Sequence, residues 1–145
     1  MDERICYFFS FLIEGLVFWN YVSILFVPKY STKIRFVCLS SGFFILFLSS
    51  LHNVFLLNCI LYTTVCFLYL IFLYKTSWYY ALFHSLLFEV LTGACELPVY
   101  SFLSTFLTSA SLRAADFHLK LLFAVMSKTL FFAVMSVLLL WLKKR

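Results

Sequence analysis

Apolar positions in this chain fall into five long runs separated by short polar breaks. The runs are Ile5–Val27, ended by Pro28, then about Phe36–Leu51, Val54–Tyr74, about Trp78–Leu107 and Phe117–Leu142, closed by Lys143, Lys144 and Arg145. A bilayer core of ~30 Å needs ~20 apolar residues in a helix. The second run is short for that task, and the fourth is long enough to tilt or bend. None shows the ten-residue alternation of a membrane barrel. The pattern therefore predicts an all-α fold, a polytopic integral membrane bundle of five transmembrane helices. The connections Pro28–Arg35, Leu51–Asn53, Lys75–Ser77 and Thr108–Asp116 are short. With no Gly/Pro/Ser-rich linker and no internal repeat, a single transmembrane domain over residues 1–145 is expected.

Composition sharpens this reading. Hydrophobic residues make up 65% of the chain and aromatics 22%, whereas charged residues are only 12%. A soluble domain carries about 25% charged residues, and a small one leaves much of its surface in water. Soluble, disordered, collagen-like and coiled-coil classes are excluded, which makes the lipid bilayer the first expected partner. The net charge of +5 does not point to nucleic acid, because most of the basic residues flank the apolar runs. Cys6, Cys38, Cys59, Cys66 and Cys95 sit inside those runs without the close spacing of a zinc site or a redox pair. Phosphate-binding, dinucleotide-binding and nucleophile-elbow motifs are absent. No metal, cofactor or enzymatic activity is expected.

Orientation follows from Lys and Arg in the short loops. The first and third loops and the C-terminus hold Lys29, Lys33, Arg35, Lys75, Lys143, Lys144 and Arg145, against Arg4 and Arg113 on the other side. That asymmetry predicts a multi-pass cell-membrane protein with its N-terminus outside and its C-terminus in the cytoplasm. The first run reads poorly as a cleaved signal peptide. Asp2-Glu3-Arg4 is not clearly positive, the run contains Glu14, and no small-residue cleavage site follows. An uncleaved helix is expected.

Five ionisable residues fall inside the predicted spans: Glu14, Glu89, Glu96, Lys120 and Lys128. Each costs ~2.5–3.5 kcal/mol or more at the bilayer centre if unpaired, so such groups face the bundle interior and find partners. Glu89 and Glu96 are seven residues apart, about 10 Å along one helix face. Lys120 and Lys128 are eight apart on an antiparallel helix. Depth matching predicts two contacts, Glu96–Lys120 and Glu89–Lys128. Glu14 then shares Lys128 or remains as a buried, protonated carboxyl. These charges either hold helices in register or form a ligand-binding or ion-conducting network. Gly93 and Pro98 mark a weak point beside the carboxylates and are the candidate hinge.

Other constellations are weaker. His52 and Cys59 resemble a Cys–His peptidase pair by residue type, but seven residues on one helix hold them roughly 10 Å apart. His84 and His118 read as tolerated polar residues near the interfaces. Glu14 resembles the membrane-embedded Glu of small multidrug transporters, but those have four Gly-rich spans, and this chain has five spans and three Gly. Most Trp and Tyr lie near span ends as an aromatic belt, with Trp19 deeper and able to line a pocket. The twenty Phe read as lipid-facing bulk, with loose packing between helices expected.

Several of these features together resemble the N-terminal membrane region of GHKL-type peptide-pheromone sensor histidine kinases. They are Ile13-Glu14 in the first span, the basic loop Lys29-Tyr30-Ser31-Thr32-Lys33, the junction Tyr74-Lys75-Thr76-Ser77, Leu87-Phe88-Glu89-Val90, Met126-Ser127-Lys128-Thr129-Leu130, and the basic exit Lys143-Lys144-Arg145. The resemblance implies a sensor half whose C-terminal helix leads into the cytoplasm. It departs from the family where a dimerisation helix and ATP-binding domain would begin, so kinase activity is not implied. The leading expectation is a signal-input module for a peptide or small amphiphile, acting as a homodimer or beside a partner receptor kinase. The alternatives are a small proton-coupled transporter or permease subunit, and a structural membrane assembly protein.

Overall fold

The computed structural model describes residues 2–51, 54–106 and 117–143. Five helices account for nearly all of them: α1 (Asp2–Leu25), α2 (Thr32–Ser50), α3 (Phe55–Leu73), α4 (Trp78–Phe106) and α5 (Phe117–Lys143). Among the described residues, the sole β-type pairing is an isolated antiparallel bridge between Pro28 and Tyr74. The all-α, five-helix architecture is as expected. The chief change in boundaries is at α2, which begins before the apolar run and takes Lys33 and Arg35 into its first turn.

All five helices are long and apolar enough to cross a membrane. At 1.5 Å per residue, the 19 residues of α2 reach roughly 28 Å and the 29 of α4 roughly 44 Å. The shorter helix just matches a ~30 Å hydrocarbon core and the longer one exceeds it. Large apolar side chains face outward along every helix: Leu56 is 69% exposed, Leu97 70% and Phe72 63%. A water-soluble monomer rarely displays such continuous apolar area. The protein is a multi-pass membrane protein.

The helices pack as a closed ring in chain order, with α5 returning against α1. Each helix contributes one aromatic side chain to a central layer: Phe18, Phe43, Tyr62, Phe88 and Phe131, all buried. Phe88 lies 4.9 Å from Phe18 and 5.0 Å from Phe131, centroid to centroid, and Tyr62 stacks on it at 6.2 Å. Phe43 closes the circuit, 6.3 Å from Phe18 and 5.9 Å from Tyr62. Many Phe do face outward, including Phe36, Phe44, Phe72 and Phe83. The sequence expectation of lipid-facing bulk is corrected for Phe18, Phe43, Phe88 and Phe131, which fill the interior in edge-to-face and tilted contacts.

At one end, the loop after α1 and the loop after α3 are joined through their backbones. Lys29 N–H donates to Leu73 O at 2.9 Å, and Lys75 N–H donates to Val27 O at 2.9 Å. Pro28, which has no N–H, occupies the position between these donors and ends α1 by disfavouring helix at Val27.

Glycine marks one close helix approach. A Cβ on Gly42 would stand 2.8 Å from Val65 Cγ1, so α2 and α3 meet there only because the side chain is missing, whereas Gly93 has open space. Gly42→Val is expected to destabilise the bundle by about 1–3 kcal/mol through overpacking. Gly93→Ala should be neutral or stabilise by roughly 0.5–1 kcal/mol. Unfolding in mixed micelles, followed by circular dichroism, checks the contrast.

Candidate functional site: an intramembrane charge centre

The inward face of α1 carries Glu14, Val17, Phe18, Tyr21 and Val22, the three- and four-residue spacing of one helical stripe. On α5, Ser127, Lys128, Phe131 and Met135 do the same. These stripes put Glu14 and Lys128 in one layer, one turn from the aromatic layer. Lys128 is 4% exposed and Glu14 5%. Lys128 makes an ion pair with Glu14. Its Nζ also donates to Glu96 Oε1 of α4 at 2.6 Å. One ammonium is thus shared by carboxylates from two other helices. The two carboxylates differ in setting: Glu14 is enclosed, whereas the side chain of Glu96 is 42% exposed.

Further polar groups border this centre. The Tyr62 hydroxyl lies against Glu14 and Thr92 but is buried without a hydrogen bond. Thr92 spends its hydroxyl on Phe88 O at 2.9 Å. Glu89 is half-buried and accepts a hydrogen bond from the Thr63 hydroxyl of α3. On the far side of the aromatic layer, Tyr21 Oη and His84 Nδ1 are 2.6 Å apart.

The expected contact Glu89–Lys128 is therefore replaced by Lys128 with Glu96 and Glu14, and by Glu89 with Thr63. Side-chain direction is the physical reason. Cα–Cβ bonds tilt toward a helix's N-terminus. On antiparallel α4 and α5, Lys128 and Glu96 therefore lean toward one another, whereas Glu89 leans away from Lys128. Depth along the axis, taken from Cα positions, misses this convergence. Glu14 shares Lys128, one of the two expected fates. Lys120 lies on α5, and the expected Glu96–Lys120 contact falls outside the described side chains. So does the His52–Cys59 pair, since His52 is not among the described residues. The candidate hinge residues Gly93 and Pro98 sit on the exposed side of α4, which runs as one helix through both.

Sequence reasoning missed Thr63, Tyr62 and the Tyr21–His84 pair, because a lone hydroxyl or imidazole in an apolar run has no periodic signature. Their common signal was their place on the same helical stripes as the aromatic layer. Chemically, the centre gathers two carboxylates around one ammonium among its described side chains, an excess of negative charge with one carboxylate partly open, while Glu89 is held apart by Thr63. Among the described residues, no three His, Cys, Asp or Glu side chains gather as a metal-binding group. Searches of family models, curated proteins and solved structures found no match to this chain.

Proposed function

We propose that the protein is a signal-input module of the cell membrane, with its N-terminus outside and its C-terminus in the cytoplasm. The observation that carries this reading is the sharing of Lys128 between enclosed Glu14 and half-open Glu96. A peptide or small amphiphile with a cationic group competes with Lys128 for Glu96. Lys128 then rests on Glu14 alone, and the α4–α5 contact loosens. Because α5 ends in Lys143, the displacement passes to the basic exit, where a second copy or a partner receptor kinase reads it. The aromatic layer supports input over passage: it fills the interior next to the charge centre, leaving a bound molecule no straight route through the ring. The resemblance to GHKL-type sensor regions points the same way.

Proton-coupled transport is the second reading. It is favoured by Glu89, a half-buried carboxyl held by a hydroxyl, with no cation beside it among the described side chains. That reading requires the aromatic layer to part during each cycle.

A dodecylammonium probe tests the first reading on the full chain in lipid nanodiscs. Glu96→Gln is expected to weaken its binding by about tenfold or more, the loss of one charge-assisted contact of ~1.4 kcal/mol or more. Equal binding by both proteins removes the proposal. Proton-driven uptake abolished by Glu89→Gln would replace it with transport. A reporter fused to the C-terminus checks the orientation, with cytoplasmic activity expected.

A further inference from the structure

Arg35 lies at the opposite end of the interior from the charge centre. It is 8% exposed, and among the described residues no carboxylate pairs with it. Its guanidinium is nevertheless held firmly. Nη1 donates to Tyr74 Oη at 2.8 Å and Nη2 to Thr32 Oγ1 at 3.3 Å. The guanidinium carbon lies 5.1 Å from the Trp19 ring centroid and 5.3 Å from that of Tyr74. The third nitrogen, Nε, is buried without a partner. Aromatic faces and neutral hydroxyls stabilise a cation, but they leave its unit charge uncancelled.

The guanidinium reaches back to Thr32, the first residue of α2. That helix start is also short of negative charge. Its N-cap, Ser31, makes no side-chain hydrogen bond, and its first turn holds no acidic residue. It holds Lys33 instead, exposed on the surface. Free N–H groups and the positive end of the helix dipole favour an anion at such a place. Paired loop backbones bring Lys75 close to Lys29, whose ammonium is taken by Ile71 O at 2.7 Å. Two cations thus share the first turn of α2, Lys33 and Arg35, while Lys29 and Lys75 stand on the joined loops of the same end.

We propose that the start of α2 binds a phosphate group, supplied by the headgroup of an anionic phospholipid. The phosphate oxygens meet the free N–H groups of the first turn, the Thr32 hydroxyl and Lys33. Arg35 stands behind Thr32 as the fixed counter-charge. The adjoining surface favours a lipid over a free ion. Ile34, Phe36 and Val37 follow directly on α2 at 48%, 55% and 65% exposed. A headgroup held by Thr32 and Lys33 therefore lays its acyl chains along an apolar face. Loop lysines in water need no ligand. Arg35 differs because its charge has already left water.

The test uses the full chain in a neutral detergent, with thermal unfolding as readout. Short-chain phosphatidylglycerol, short-chain phosphatidylcholine and inorganic phosphate are titrated separately. Phosphatidylglycerol is expected to raise the unfolding temperature in a saturable, salt-sensitive way, at concentrations where the other two have no effect. Lys33→Glu is the decisive variant, because it replaces a surface cation with an acid in the first helical turn. It should unfold at a higher temperature than wild type without lipid. It should also bind phosphatidylglycerol roughly thirtyfold more weakly, for a change of two unit charges. Arg35→Lys keeps the charge but loses the planar fork, and should weaken binding while the protein still folds. Unchanged phosphatidylglycerol binding in Lys33→Glu overturns the site. Inorganic phosphate acting as strongly as the lipid overturns the lipid assignment, and equal effects of both lipids overturn it as well.

Discussion

Lys128→Met is expected to destabilise the folded bundle by about 3–5 kcal/mol, the usual cost of removing one partner of a buried ion pair. The magnitude follows from what stays behind. Glu14 is 5% exposed and has Lys128 as its ion-pair partner among the described residues. Without that ammonium, α1 carries an unpaired carboxyl into the interior of the bundle. Glu14→Gln should be much milder, since Lys128 keeps Glu96 at 2.6 Å. The double variant Glu14→Gln/Lys128→Met should recover most of the loss, because no enclosed charge then remains. Detergent-titrated unfolding of all three variants gives the coupling between the two sites directly. An additive double variant would show that the two groups do not depend on one another.

Phe88→Ala is the second large effect, expected at about 3 kcal/mol, the lower end for an aromatic truncated in a core. Lipid chains are as apolar as Phe, so transfer out of water contributes little, and the loss is one of packing and cavity. The site makes that loss severe. Phe88 is fully buried and touches rings from three other helices, Phe18, Tyr62 and Phe131. Phe132→Ala, 54% exposed on the lipid side, serves as the control and should be close to neutral. Thermal unfolding in detergent compares the two. If Phe132→Ala cost as much as Phe88→Ala, the aromatic layer would not be the centre of the fold.

The spans were legible because lipid imposes a length and an apolar content that few other settings demand. Four of the five helices start and end within about three residues of the apolar runs. α2 is the instructive exception. Arg35 reads as a loop cation by composition, yet Trp19 and Tyr74 give it an interior berth, and the helix starts at Thr32. The presence of buried charge was equally legible, since Glu14 and Lys128 sit in the middle of apolar runs. The partner assignment was not. It depended on the lean of side chains and on which of Glu89 and Glu96 met α5, and linear spacing encodes neither. Phe was the least readable type: Phe131 and Phe132 are adjacent in sequence, one fully buried and the other on the lipid side.

The ring closes with its last helix, and this bears on how the protein is made. Glu14 enters the bilayer with α1, and its counter-charge arrives about 114 residues later. At ~5–20 residues per second, the ribosome needs on the order of ten seconds to deliver it. During that interval the first helix has no ammonium to meet its carboxylate. Insertion machinery that shelters the early segments until the fifth emerges would therefore favour assembly of the ring.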